Sequence, residues 1–165
     1  MSYDVRRATR EDLAALQSVE LSGNPMFDEL FGPTGWGAPT GAERAAQPGF
    51  VLVAGDPPVG FAHVLDLEGT AHLEQLSVLP DLLRQGIGSA LVRAAQAEAA
   101  ARGHAALSLC TYRDVPWNAP FYRTLGFVEA ERLTPLQRRL RDHEHDAGLD
   151  RFGVRVVMVA PLAGP

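Results

Sequence analysis

Short apolar runs bounded by turn residues recur along the chain and predict strands. Six of them cover residues 5–8, 50–54, 59–67, 71–78, 105–110 and 154–159, and a shorter strand is predicted near Val128. Glu68-Gly69-Thr70 separates the third run from the fourth, and Pro80 ends the fourth. The third and fourth runs are therefore expected to form a hairpin.

Helical spacing of apolar residues appears between these strands. Thr9 begins a capping-box pattern, and Leu13, Leu16 and Leu21 follow it as a helical stripe. Further helices are predicted at residues 41–46, 85–102, 119–125 and 135–147. The order of strands and helices along the chain combines hairpins with crossover connections. This combination predicts an α/β fold with a mixed sheet and helices on both faces. No repeat or linker divides the chain, so residues 1–165 are expected to form one domain.

The segment from Ser22 to Gly49 has a different composition from the rest of the chain. Gly, Pro and aromatic residues dominate it, and only residues 41–46 read as a short helix. We interpret the remainder as a long loop. Loops of this length inside a compact domain are often functional.

The charge balance and the cysteine content limit the kinds of partner and the cellular location that the sequence favours. The chain has 15 basic residues, all of them Arg, and 20 acidic residues, for a net charge of −5. This balance disfavours a nucleic-acid binder and is compatible with a cationic small partner. Cys110 is the single cysteine, which excludes an internal disulfide and favours a reducing, cytoplasmic location. No leader-like or membrane-spanning apolar run is present, so no membrane association is expected.

The strand that ends near Pro80 leads into a glycine-containing turn that opens the longest predicted helix. The first N–H groups of a helix lack internal partners and carry the positive end of its dipole, so they attract anions. Gly86 and Gly88 would let a pyrophosphate approach the backbone, and Arg84 could add a charged contact. A plain tight turn remains an alternative. A Rossmann site is disfavoured because Leu91 occupies the third glycine position, and a Walker A loop needs a Lys that the chain lacks.

This turn resembles the acetyl-coenzyme A site of the GNAT family of N-acetyltransferases, whose pattern is Gln/Arg-x-x-Gly-x-Gly/Ala. Gly86 and Gly88 match the two glycine positions, whereas Leu83 replaces the first polar residue. A second stretch, from Asn118 through Tyr122 to Gly126-Phe127, resembles the family's segment in which an Asn is followed by a Tyr and then by Gly-Phe. The two matches together span residues 73–127.

The resemblance implies a mostly antiparallel, six- to seven-stranded acetyltransferase fold. It also implies direct transfer of acetyl from acetyl-CoA to an amine, with no metal. The residues expected to bind acetyl-CoA are Leu76, Ser77, Val78, Arg84, Gln85, Gly86, Ile87, Gly88, Ser89 and Asn118. For the strand residues 76–78, simple membership of a sheet is the alternative, and for Asn118 it is a helix N-cap.

Two residues are candidates for proton transfer. Glu74, on the strand before the turn, could remove a proton from the amine directly or through water, and burial would raise its pKa. Alternatively it is a structural carboxylate or a counter-ion for the amine. The resemblance implies that Tyr122 donates a proton to the coenzyme A thiolate, with a core aromatic as the alternative.

The acceptor is expected to bind between the 22–49 segment and the strand that carries Glu74. The candidate residues in that segment are Phe27, Asp28, Glu29, Phe31 and Trp36. Aromatic residues that only attach a long connection to the core would explain the same pattern. Cys110 reads as a core thiol, and His143 and His145, two residues apart, read as a solvated helix end rather than a metal site. A non-catalytic acyl-CoA-binding sensor is the alternative function, and a homodimer is left open.

Overall fold

A computed structural model describes residues 3–163, and its strands form one seven-stranded sheet. The strands are β1 (Val5–Arg7), β2 (Gly49–Ala54), β3 (Gly60–Leu67), β4 (Thr70–Val78), β5 (Ala106–Tyr112), β6 (Val128–Glu129) and β7 (Arg155–Pro161). Their spatial order is β1-β2-β3-β4-β5-β7-β6. All neighbours are antiparallel except β4 and β5, which are parallel. The predicted mixed, mostly antiparallel sheet is confirmed.

Within the described part of the chain, six α-helices connect the strands. They are α1 (Leu13–Leu21), α2 (Asn24–Phe31), α3 (Gly41–Ala45), α4 (Ile87–Ala101), α5 (Ala119–Arg123) and α6 (Pro135–Asp146). Short 3-10 turns occupy Arg10–Asp12, Pro80–Leu82 and Leu149–Arg151. Capping boxes at Thr40 and Thr134 fix the starts of α3 and α6, because side chain and backbone satisfy each other there.

The two faces of the sheet carry separate apolar clusters. Leu91, Val92 and Ala95 of α4 pack on the larger one together with Ala119 of α5. Leu16 of α1 packs with Val53 and Phe61 of the strands on the opposite face. Helices therefore cover both faces, as the alternation of strands and helices predicts.

The interpretation of residues 22–49 as mainly loop was wrong in one part. Residues 24–31 form α2, and the short helix after Thr40 is present as α3. Regular structure is lacking at residues 32–40 and in the turns at 22–23 and 46–48. Pro25 occupies the first turn of α2, where its missing N–H costs nothing. Gly, Pro and aromatic content indicated a loop, although proline in that position is typical of a helix start.

No helix formed by residues 3–163 is long and apolar enough to cross a bilayer.

Candidate active site

A gap opens between β4 and β5 because their pairing is short. Only three residue pairs join the strands, and the last is Leu73 with Leu109. Beyond it, β4 continues to Val78 beside β3 alone, and β5 continues to Tyr112 beside β7 alone. Residues 74–78, which include the predicted binding strand 76–78, thus have a free backbone edge toward the gap.

A β-bulge places Glu74 at the inner end of this free edge. His63 of β3 pairs with Gln75, and the next residue, Val64, pairs with Leu73, so Glu74 has no partner in the ladder. Leu73 and Leu76 both contact the cluster under α4, although they are three residues apart. The extra residue shifts the alternation of β4 by one position, which puts Glu74 on the opposite face, beside Arg44 and Glu20.

Helix α4 begins beside the outer end of the same edge. Gly86 precedes its first residue with φ +84°, a left-handed conformation that suits glycine, and the first helical bond runs from the Ala90 N–H to the Gly86 carbonyl. The N–H groups of residues 87–89 are therefore left without helical acceptors. A methyl group at Gly88 would lie 3.5 Å from Phe121 Cζ, so the start of α4 packs against α5.

Arg84 also adopts a left-handed backbone, with φ +63°. This conformation is unusual for a residue with a side chain. Together with Gly86 it turns the chain sharply from the Pro80–Leu82 turn into α4. Neither Arg84 nor Gln85 forms a side-chain hydrogen bond within residues 3–163, which leaves both side chains free for a ligand.

Charged side chains from three helices surround Glu74. The residue is exposed to solvent, but the protein atoms around the gap reduce its hydration and raise its pKa, an effect that Arg44 of α3 partly offsets. Glu20 of α1 and Glu144 of α6 raise the pKa further, and His143 of α6 lowers it. The raised pKa agrees in direction with the sequence-based expectation.

Tyr122 lies on α5, half-buried between Phe121 and Phe127. Its ring centroid is 5.2 Å from that of Phe121 and 5.7 Å from that of Phe127. Burial raises the pKa of the phenol, and Arg155 offsets this only in part. The Tyr122 hydroxyl forms no hydrogen bond within residues 3–163. The hydroxyl is therefore protonated at neutral pH and is free to donate a hydrogen bond to a ligand.

Asn118 occupies the N-cap position of α5 but does not cap the helix with its side chain. Its Oδ1 accepts a 3.3 Å hydrogen bond from the Tyr112 N–H and ties the loop after β5 back to the strand. Its carbonyl accepts from the Tyr122 N–H at 3.0 Å. Asn118 therefore fixes the position of Tyr122, and its side-chain nitrogen has no hydrogen-bond partner within residues 3–163.

Three of the five predicted acceptor residues belong to an aromatic cluster above the end of β5. Phe27 and Phe31 of α2 and Trp36 of the following loop contact one another, with centroids 5.1 to 6.4 Å apart. The same rings also contact Tyr112, Trp117 and Phe152. These contacts attach α2 to the sheet. Because no residue of α2 is fully buried, the rings remain partly exposed to solvent.

The two acidic residues of α2 differ in their surroundings. Asp28 accepts hydrogen bonds from the Thr34 N–H at 2.9 Å and the Thr34 hydroxyl at 2.8 Å, which lowers its pKa. Its carboxylate thus organises the 32–40 loop. Glu29 is exposed, with no such partner within residues 3–163.

A buried polar network, which the sequence did not indicate, lies beneath Glu74. Arg44 of α3 is 4% exposed; it donates to the Glu20 carboxylate and, at 2.9 Å, to Nδ1 of His63. Burial raises the pKa of Glu20 despite the Arg44 charge. Polar residues in helices usually face solvent, so only the tertiary structure reveals that Arg44 lies inside.

The family model that matches the sequence is described as the Acetyltransferase (GNAT) family, and the match covers residues 12–127. The chain belongs to the GNAT acetyltransferase family. It is accordingly an enzyme of the acyl-CoA-dependent N-acetyltransferase type, and the alternative of a non-catalytic sensor is set aside. The free edge of β4, the start of α4 and Tyr122 all fall inside the matched region.

Solved structures of other GNAT proteins share this fold at low sequence identity. The S. aureus Mu50 GNAT acetyltransferase superposes with a TM-score of 0.74 at 15% identity, covering 98% of this chain and 100% of that one. The E. coli ribosomal-protein-S18-alanine N-acetyltransferase gives 0.68 at 20% identity, with 99% and 96% coverage. The PaiA N-acetyltransferase of Thermoplasma acidophilum, solved with coenzyme A, gives 0.62 at 18% identity, with 98% and 99% coverage.

Cys110 has no catalytic environment in this GNAT protein. It is partly buried on β5, and burial raises the pKa of its thiol to about 12. A thiol of that pKa is not a nucleophile at neutral pH. Cys110 is therefore left out of the candidate catalytic residues, in line with its interpretation as a core thiol.

Proposed function

We propose that this GNAT protein transfers acetyl from acetyl-CoA to a primary amine by direct attack, and that the acceptor is cationic. The observation that carries the proposal is the unpaired edge of β4, which runs from Glu74 to the start of α4. A free strand edge can bind an extended amide-containing ligand by backbone hydrogen bonds. The open N–H groups of α4 lie at its far end, where a pyrophosphate would bind.

The residues present suit acetyl-CoA chemically. The Gly86–Ser89 turn offers N–H groups, with no side chain at Gly86 and Gly88 and with the Ile87 side chain buried in the core. Arg84 offers a cation, and residues 76–78 offer backbone groups. When bound, acetyl-CoA supplies an activated acetyl group and a thiolate leaving group.

Glu74 is the proposed base, acting directly or through water. An amine is mostly protonated at neutral pH, so a proton must leave before or during attack. The raised pKa of Glu74 makes its carboxylate a stronger base than that of an ordinary glutamate. Its position at the bulge, on the face that carries α1, α3 and α6, supports access from the acceptor side.

Tyr122 is the proposed acid. Its hydroxyl is protonated, held on α5 next to the start of α4, and free of protein partners within residues 3–163. The ordinary pKa of a thiol is about 8.5, below that of a phenol, so Tyr122 would act by donating a hydrogen bond to the sulfur as negative charge develops there, and a tyrosinate formed by proton transfer would regain its proton from solvent. Asn118 supports the role by holding the first turn of α5.

The proposed acceptor site lies between the aromatic cluster and Glu74. Phe27, Phe31 and Trp36 would form an apolar wall, and Asp28 and Glu29 would add negative charge beside it. The chain's net charge of −5 favours encounter with a cation.

Thiol release from acetyl-CoA with a panel of amines tests the proposal. Tyr122→Phe should lower kcat by roughly 100-fold or more while acetyl-CoA affinity, measured by titration calorimetry, stays near the wild-type value. Glu74→Gln should lower kcat/KM for the amine and remove the acidic limb of its pH profile. Turnover close to wild type in both variants would rule out this assignment of acid and base.

A further inference from the structure

His63 has a buried hydrogen-bond donor with no acceptor. The residue lies on β3 and is 1% exposed. Its Nδ1 lies 2.9 Å from Nη1 of Arg44, and a guanidinium can only donate, so Nδ1 is the acceptor and the proton is on Nε2. No group within residues 3–163 accepts from Nε2. A buried N–H without a partner is costly, so its retention calls for an explanation.

His63 lies on β3 directly beside the bulge on β4. His63 pairs with Gln75, and the ladder slips immediately afterwards to leave out Glu74. Cross-strand partners point to the same face of a sheet, so His63 and the bulged segment share one face. Gln75 is not the missing partner, because its amide turns to the Ser77 hydroxyl at 3.0 Å.

We propose that His63 is a positioning residue for Glu74: its Nε2–H donates to an ordered water that in turn donates to the Glu74 carboxylate. This inference rests on the proposed role of Glu74 as the base. Arg44 fixes the tautomer, and Glu20 holds Arg44 in place. The water held in this way is the route by which a proton from the acceptor amine reaches Glu74.

Several charged groups act on Glu74 besides this chain of hydrogen bonds. Arg44 and Glu20 face it from α3 and α1, His143 and Glu144 from α6, and the Cys110 thiol is close by on β5. Burial lowers the pKa of His63 to about 4, so the imidazole itself stays neutral over the working range. Loss of the His63 donor removes the hydrogen bond that holds the water against the Glu74 carboxylate, and because that water stabilises the charged form, the pKa of Glu74 should rise.

Two substitutions at His63 separate positioning from packing. In His63→Asn the amide oxygen can replace Nδ1 as the acceptor for Arg44, but nothing replaces Nε2–H. In His63→Gln the longer side chain carries an N–H to the place of Nε2. We expect the Asn variant to lose roughly tenfold in kcat/KM for the amine and to move its acidic limb upward by about half a pH unit or more. The Gln variant should stay within about threefold of wild type.

The controls distinguish this inference from the proposed function. If Glu74→Gln leaves the amine kinetics unchanged, the base assignment fails and the inference with it. If Glu74→Gln has its expected effect but the Asn and Gln variants share one pH profile, only the His63 inference is overturned. A long-range proton–nitrogen correlation spectrum of the wild-type enzyme should show a neutral His63 protonated on Nε2, and protonation on Nδ1 would overturn the inference whether or not the variants fold.

Discussion

Gly86 and Gly88 are expected to respond differently to the same substitution. Gly86 has φ +84° and ψ 2°, and a methyl group there meets no atom within 4 Å. The cost of Gly86→Ala is thus conformational, about 1–2 kcal/mol, and the lower entropy of the unfolded alanine chain offsets about 0.4–1 kcal/mol. We expect a net loss of about 1 kcal/mol, equivalent to about 2–4 °C in Tm for a chain of this size.

Gly88 provides the matched control. It lies inside the first turn of α4, has no left-handed φ, and a methyl group there would make ordinary contacts with Phe121, Val78 and Leu76. Alanine is favoured over glycine in helices by up to about 1 kcal/mol. Gly88→Ala should therefore leave stability unchanged or raise it.

Urea denaturation followed by circular dichroism measures both variants, and equal m-values make the free energies comparable. A Gly86→Ala variant as stable as wild type would contradict the left-handed conformation at the start of α4. Equal losses in the two variants would instead mean that the turn is sensitive to any added methyl group.

Three further predictions follow from particular contacts. Asp12 accepts hydrogen bonds from Arg6 and from the Thr9 N–H, which hold the pKa of its carboxyl well below the usual range. The stabilisation from the ionised carboxylate is therefore present above the unfolded-state pKa of about 4 and is lost as pH falls. The difference in Tm between wild type and Asp12→Asn should be largest at neutral pH and should shrink in acid. Cys110→Ala should keep wild-type turnover, and wild-type Cys110 should resist iodoacetamide at neutral pH; rapid inactivation would contradict its raised pKa. Phe27→Ala should raise KM for the amine and leave KM for acetyl-CoA unchanged, whereas a fall in Tm alone would show that the ring only attaches α2.

The strands and the start of α4 could be predicted because local patterns determine them. Apolar alternation bounded by turn residues placed the strands within a few residues of their observed bounds, and the two glycines marked the turn before α4. Helix α2 was missed because its Pro25 and aromatic residues are also common in loops. Its amphipathic character becomes evident only when the rings are seen to pack on Tyr112 and Phe152.

The surroundings of Glu74 could be predicted only in part. Its place on a strand before the turn suggested a raised pKa, but the bulge that leaves it unpaired results from the register between β3 and β4. The contacts of Arg44 with Glu20 and His63 join residues 19 to 24 positions apart in the chain. No local pattern encodes contacts over such separations.

The short parallel pairing of β4 with β5 divides the sheet into two antiparallel units. Strands β1 to β4 form one, strands β5 to β7 form the other, and three residue pairs together with α4 hold them side by side. The chain passes between the units once, at the turn around Gly103, where the backbone is exposed and in a left-handed conformation. Cleavage of the chain at that turn keeps every antiparallel strand pair within one fragment and separates only the parallel pair of β4 and β5. Separately expressed fragments 1–103 and 104–165 are therefore expected to reassemble into a native-like enzyme, with α4 of the first fragment as the surface on which the second one docks.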